Sequence, residues 1–358
     1  MDHLIDSKNL VIDAVRDYAI KSDPYSLSYV MYDVTTLYFE TENEDEDVGE
    51  IIGLRKKGYS KDHRDDVAQV VVGLAVNGLG MPLSYQLHSG NTYEGNTLIS
   101  SVDQVMKDIE ATSLTIVADA GMLSKTNLVE LENRRLYYIV GARLKSLGKK
   151  QQEEILSLDF STSNIQEITH DNKRLIVSFS KSRAQRSATS RRKTIEKLSE
   201  RIIANKAIRK SPYLDVSLKQ RPQINQKAVE DAARWDGIKG YVTNNFMLSP
   251  EEVIERYRDL YKVEQSFRMS KSDLKIRPTF HFRRSRIEAH VIICMVALSV
   301  MRILEEEVKP LGLTLGEALR EIENTKAVKI KLAQKEFIIS PALSLTIKSL
   351  LARLKLVT

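Results

Sequence analysis

Three runs rich in β-branched and aromatic residues open the chain's regular structure: 29–39 (YVMYDVTTLYF), 68–76 (AQVVVGLAV) and 81–88 (MPLSYQLH). Each has the composition of a strand. Asn77-Gly78 separates the second from the third, a dipeptide suited to hairpins because both residues tolerate positive φ. The third run ends at Ser89-Gly90-Asn91. A connection as short as Asn77-Gly78 joins only antiparallel neighbours, and the three runs are expected to form an antiparallel meander. Residues 40–50 hold seven acids between the first two runs and read as a solvated loop.

The pattern then changes. Leu98, Val102, Val105 and Ile109 recur at three- and four-residue spacing, which predicts a helix over 95–111. Leu114–Ala118 is a short apolar run ending at Asp119, Ser124 can cap a helix reaching about Arg134, and Leu136–Gly141 is another apolar run. Strand, helix and strand at this spacing form a βαβ unit, whose strands are parallel. The expected fold is α/β: a mixed sheet, antiparallel meander first and parallel strands next, flanked by helices. Residues 143–236 break the rhythm with polar β segments (174–180) and a basic helical run (190–210), and read as an inserted β-rich and helical subdomain. Gly240–Thr243 resumes the sheet. Ser249-Pro250-Glu251-Glu252 is a capping box opening one long helix, and a second spans about 284–307. The division implied is a short helical segment at 1–28, a catalytic domain in two parts (29–142 and 237–307) around the insertion, and a helical segment at 308–358.

Composition narrows the function classes. A formal net charge of +6 and a pI near 9.1, with basic residues gathered in patches, suit a polyanionic partner. One cysteine, Cys294, excludes an internal disulfide or a multi-cysteine zinc site, and its apolar surroundings make it a small core residue. The N-terminus lacks the apolar core of a signal peptide. The run His290 to Met301 is too short to span a bilayer. A cytoplasmic, nucleoid-associated protein without a membrane partner is expected.

Three acids fall at positions that suit phosphodiester chemistry, which needs carboxylates converging on divalent ions. Asp33 lies inside the first strand, where aspartate is disfavoured. Asp119 ends a parallel strand, and Glu264 lies in the long helix. Tyr257, Glu264 and Lys271 are spaced seven apart and share a face if that helix is continuous, with Tyr261 and Arg268 on the same stripe. A face of Tyr, Glu, Arg and Lys suits metal binding by one residue and phosphate contact by the basic ones.

The segment YRDLYKVEQSFRMSKSDLKIRP resembles the Tyr-x2-Arg-x3-Glu-x6-Lys signature of bacterial insertion-sequence DDE transposases, which have an RNase H-like catalytic domain. Tyr257, Glu264 and Lys271 match it; Leu260 stands at the Arg position, where Arg258 or Arg268 would have to supply the charge. The stretches GYSKDHRDDVAQVVVGLAVNGLGMPLSYQLHSGNTYEGNTL, VADAGMLS and WDGIKGYVTNN are also similar to the family and follow in its order, so the resemblance covers about 29–305. It implies that Asp33, Asp119 and Glu264 bind Mg²⁺ (or Mn²⁺) and catalyse strand cleavage and strand transfer at the element's ends. It implies double-stranded DNA as partner, both ends and target, and a homodimer assembled on that DNA.

DNA contacts are expected from Tyr257, Arg268 and Lys271, and from Lys61 and Arg64. The neighbours of these last two, Lys56, Lys57 and Tyr59, either line DNA or balance the acids at 40–50. Trp235 either packs or stacks on a base, and His281 and His290 are core or surface residues. Two alternatives to a transposase stay open: a two-metal nuclease of the same fold, and a shortened or inactive chain that only binds DNA. The residues ahead of the first strand are too few for an independent helix-turn-helix, so recognition of the ends falls to the insertion and the C-terminal helices unless the chain is a shortened copy.

Overall fold

The computed structural model describes residues 4–49, 52–111, 114–122, 124–170, 173–207, 210–215, 222–332, 335–339 and 342–354. The chain divides into two compact units, Met1–Thr112 with Tyr261–Thr358 and Ser113–Leu260.

The first unit opens with helix α1 (Lys8–Ser22), followed by strands β1 (Tyr29–Tyr38), β2 (Gln69–Asn77) and β3 (Pro82–Ser89) and helix α2 (Leu98–Asp108). The strands form the expected meander: β1 pairs antiparallel with β2, Asp33 opposite Leu74, and β2 with β3. β2 is buried along its whole length and β1 nearly so. Tyr32 anchors β1, its hydroxyl donating to Thr97 Oγ1 at 2.9 Å and lying 2.9 Å from Ser101 Oγ. Burial pushes that phenol up to about 12. Gly73 leaves it room, since a Cβ there would come within 2.4 Å of the Tyr32 oxygen. The β2–β3 turn sits where Asn77-Gly78 predicts it but is built differently. Asn77 Oδ1 accepts from the amides of Leu79 (3.0 Å) and Met81 (2.9 Å), and the residue at positive φ is Gly80.

Part of the acidic stretch after β1 is paired within its own loop. Arg55 donates to Asp45 from Nε at 2.8 Å, Lys56 pairs with Asp47 at 3.0 Å, and Lys57 with Glu42 at 3.5 Å. Of the two readings of this basic stretch, these residues follow the one in which it balances the acids.

The second unit begins with β4 (Thr115–Ala118), α3 (Lys125–Asn133) and β5 (Tyr137–Ala142). β4 and β5 are parallel, and Ser124 caps α3 by accepting from the Asn127 amide at 3.0 Å. Helix α4 (Lys149–Leu156), strands β6 (Ile165–His170) and β7 (Lys173–Phe179), helix α5 (Lys181–Ile203), the two-residue strands β8 (Leu214–Asp215) and β9 (Gln223–Ile224), and helix α6 (Gln226–Ala233) follow. Then come β10 (Ile238–Thr243) and helix α7 (Pro250–Arg258). β10 lies between β5 and β7, antiparallel to both, and β6 forms the outer edge, giving the order β4-β5-β10-β7-β6. The segment expected as an inserted subdomain therefore supplies two strands to the sheet that holds β5 and β10. Among the described residues of this unit, parallel pairing is that of β4 with β5. Trp235 packs against the cluster of Leu144, Ile155 and Val177. Buried Arg174 bonds Glu167 at 2.7 Å and donates to the carbonyls of Asn245 (2.7 Å) and Leu248 (2.6 Å), fixing the turn ahead of α7. Ser249 and Glu252 form the expected capping box.

α7 is not the start of one long helix. It ends at Arg258, and α8 (Tyr261–Ser272) begins the return to the first unit. Leu260, at the signature's Arg position, is buried, an apolar residue taken into packing where a continuous polar stripe would have kept it in solvent. α9 (Arg284–Val308), α10 (Leu315–Asn324), the hairpin β11 (Val328–Leu332) and β12 (Lys335–Ile339), and α11 (Leu345–Arg353) complete the first unit. The apolar run judged too short for a bilayer belongs to a longer element. Arg284–Leu311 is long and apolar enough to cross one by length and composition, but 61% of its apolar window is buried in the protein, as in a core helix. Cys294 is buried there, which pushes its thiol up to about 11. The first unit thus carries the antiparallel meander and the second the parallel strand pair, each with flanking helices, the parts expected of the mixed α/β fold.

Candidate active site

Each acid is described in its own unit. Asp33 is the one incompletely buried residue in the middle of β1. Its Oδ1 accepts the Val34 amide at 2.8 Å and lies 3.7 Å from Lys61 Nζ. That ammonium also donates to the Val34 carbonyl at 2.7 Å and pairs with Glu94 at 2.9 Å. Lys61 is thus turned inward onto β1. Its neighbour Asp62 binds Lys271 Nζ at 3.1 Å and also pairs with Arg277. Burial pushes Asp62 up, but the bonds and charges of Arg277 and Lys271 outweigh it and hold the carboxyl below its usual range. For Lys271 burial prevails over Asp62 and lowers the ammonium. The loop carrying Lys61 is therefore fastened to the end of α8.

Glu264 is exposed in the first turn of α8 and has no hydrogen-bond or ion-pair partner among the described residues. Lys271 lies seven residues on and shares its helix, whereas Tyr257 belongs to α7. The expected Tyr–Glu–Lys face therefore holds for Glu264 and Lys271 only. Arg268 is exposed on α8, also without a partner among the described residues. Arg64 pairs with Asp66 at 3.0 Å and Glu40 at 3.5 Å.

In the second unit Asp119 stands exposed just beyond β4. Its Oδ1 accepts the Ala120 amide at 2.6 Å and the Tyr257 hydroxyl at 3.2 Å. Oδ2 has no hydrogen-bond partner among the described residues. Tyr257, expected on DNA, is buried. Its ring meets Tyr241 edge-on at 4.9 Å, and Lys239 Nζ lies 4.5 Å from the ring centre. Gly141 gives the hydroxyl its room, since a Cβ there would come within 2.6 Å of the Tyr257 oxygen. Sequence reading missed this use of Tyr257, and it did not single out Glu94, although the stretch similar to the family contains it; both contacts join distant segments.

Among the described residues no three His, Cys, Asp or Glu side chains lie together as a metal cage. The His281 and His290 rings are 5.5 Å apart, and a His290 ring nitrogen lies 2.9 Å from the Ile276 carbonyl. The donor chemistry of the acids nevertheless suits a hard cation, which takes oxygen ligands. Asp33 already has an ammonium beside it, and Asp119 keeps one oxygen available.

Residues 30–300 match the family described as the transposase DDE domain. In structure the chain is similar to piggyBac transposase in a synaptic complex with hairpin DNA, at 10% identity and a TM-score of 0.44, over 80% of this chain and 49% of that one. It is also similar to Mos1 transposase in a paired-end complex with the left transposon end, at 9% identity and a TM-score of 0.23, over 38% of this chain and 42% of that one. It spans about half the length of the piggyBac chain it matches (49%). No curated protein matches it. With three quarters of its length inside a single family match, the chain belongs to the transposase DDE-domain family.

Proposed function

We propose that the chain is an insertion-sequence transposase that cleaves DNA strands and transfers the freed 3′ ends, with Asp33, Asp119 and Glu264 holding Mg²⁺ (or Mn²⁺). The observation that carries this reading is the family match over residues 30–300, which takes in all three acids. When bound, the ions would supply a nucleophile at neutral pH and neutralise charge on the phosphate. The chain's own residues prepare for this. Tyr257 fixes one oxygen of Asp119 and leaves the other available, the orienting role that outer hydrogen bonds play around metal ligands. Arg268 and the exposed basic residues of α5 are suited to grip phosphate without reading sequence. Joining two ends calls for two copies of the protein on duplex DNA, a homodimer working in the cytoplasm at the nucleoid.

The test is an assay on a plasmid carrying the DNA that flanks the gene, with and without Mg²⁺. Nicks at the element's borders and joined products are expected only with the metal. Nicks without joining, even with precut ends, would convert the reading to a two-metal nuclease, and the absence of both products would overturn it.

Two substitutions probe Asp119. Tyr257→Phe is expected to weaken Mn²⁺ binding by about tenfold, the usual cost of losing an orienting bond behind a metal ligand, with a stability loss of only about 1 kcal/mol. Gly141→Ala should reproduce that loss, because its methyl group displaces the same hydroxyl. Titration calorimetry reads both, and unchanged affinity in the Phe variant would remove Tyr257 from this role.

A further inference from the structure

We propose that Lys61 is a positioning residue that holds the cation seat beside Asp33 until a divalent ion binds and thereby sets how tightly the metal is bound. The inference rests on the reading of Asp33 as a metal ligand. Its basis is the set of contacts around one ammonium: Val34 O at 2.7 Å, Glu94 Oε1 at 2.9 Å and Asp33 Oδ1 at 3.7 Å.

Three features make this more than a passing surface pair. The ammonium is held most closely by Glu94 and the strand carbonyl, and only more distantly by Asp33, so it neutralises Asp33 without being committed to it. The Lys61 backbone is fixed, its amide donating to Thr36 Oγ1 at 3.2 Å on the same strand. The next residue, Asp62, is ion-paired with Lys271 and Arg277, which prevents the loop from carrying the lysine away. A carboxylate on a largely buried strand is costly to leave uncompensated, and Lys61 supplies the compensation. When a divalent ion arrives, Lys61 retains Glu94 and yields Asp33. Glu94 is the residue that makes this retreat available.

The competition has a measurable sign. A fixed positive charge this close to a ligand opposes cation binding by roughly the energy of one screened unit charge, about tenfold in affinity. Mn²⁺ binding to the intact protein without DNA, followed by electron paramagnetic resonance, reads it directly. Lys61→Met is expected to bind Mn²⁺ about tenfold more tightly than wild type. Lys61→Arg, which keeps the charge, should stay near wild type, and so should Lys57→Met, which removes a charge from the same loop away from Asp33. Glu94→Gln should bind more weakly, because Lys61 then loses that carboxylate and leans harder on Asp33. A gain in affinity is an outcome that structural damage does not produce. If Lys61→Met binds as wild type or more weakly while Asp33→Asn has lost Mn²⁺, the placeholder role is overturned. If Asp33→Asn binds Mn²⁺ as wild type does, it is the reading of Asp33 as a ligand that fails.

Discussion

Glu264→Gln is expected to lose metal-dependent strand cleavage by on the order of a thousandfold, while its affinity for duplex DNA stays within about twofold of wild type. The substitution keeps the side chain's size and removes only its charge. Glu264 is exposed and unpartnered among the described residues, so neutralising it leaves no buried group unsatisfied. α8 is held by other residues, Val263, Ser266 and Met269, which are buried on its inner face. The melting temperature should therefore be unchanged. Binding should survive because phosphate contact depends on cations, not on this carboxylate. Gel-based nicking, fluorescence anisotropy and thermal melting on one preparation separate the effects. Full cleavage by the Gln variant would take Glu264 out of the chemistry.

The largest expected loss of stability comes from Arg302. Only 3% exposed, it donates to Glu305 Oε2 at 2.7 Å, to the Lys262 carbonyl at 3.0 Å and to Ser266 Oγ at 2.8 Å. It thus joins α9 to the first turns of α8, on either side of Glu264. Arg302→Met keeps much of the apolar volume but takes the charged donor from Glu305 Oε2, leaving Glu305 the 3.3 Å contact from Gln265 and the Lys262 carbonyl that from Ser266. Breaking a buried ionic network from one side costs about 3–5 kcal/mol. Urea unfolding should register that drop, and cleavage should fall even where the variant is folded, because the segment carrying Glu264 loses its tether. A loss below about 1 kcal/mol would mean that α8 is fixed by its apolar contacts alone.

Local signals were the most legible in the sequence. β-branched runs gave the meander, because strand composition is a property of consecutive residues. Ser124 and Ser249 announced helix starts, because a cap involves residues three apart. The Asn77 turn was found for nearly the right reason: its location came from the dipeptide, but the work is done by the Asn77 side chain and by Gly80. The break between α7 and α8 was hidden, since Tyr257, Tyr261, Glu264, Arg268 and Lys271 keep helical spacing across it, and only the apolar Leu260 disagreed. The insertion was read as separate because its strands are polar, although β7 pairs with β10 through backbone atoms that carry no compositional mark. The partners of the acids were least legible. Tyr257 reaches Asp119 across 138 residues, and Lys61 finds Glu94 through the fold of a loop.

The distribution of charge carries a consequence for how such a chain meets a polyanion. α5 holds eight Lys or Arg and two Glu, a surplus of six, which equals the formal net charge of the whole chain at +6. The rest of the protein is neutral on balance, and the excess lies along a rod about 35 Å long. Against a duplex, the ions displaced on association would come chiefly from the stretch that this rod covers. The salt sensitivity of the encounter would therefore be a property of one helix, separable from Asp33, Asp119 and Glu264.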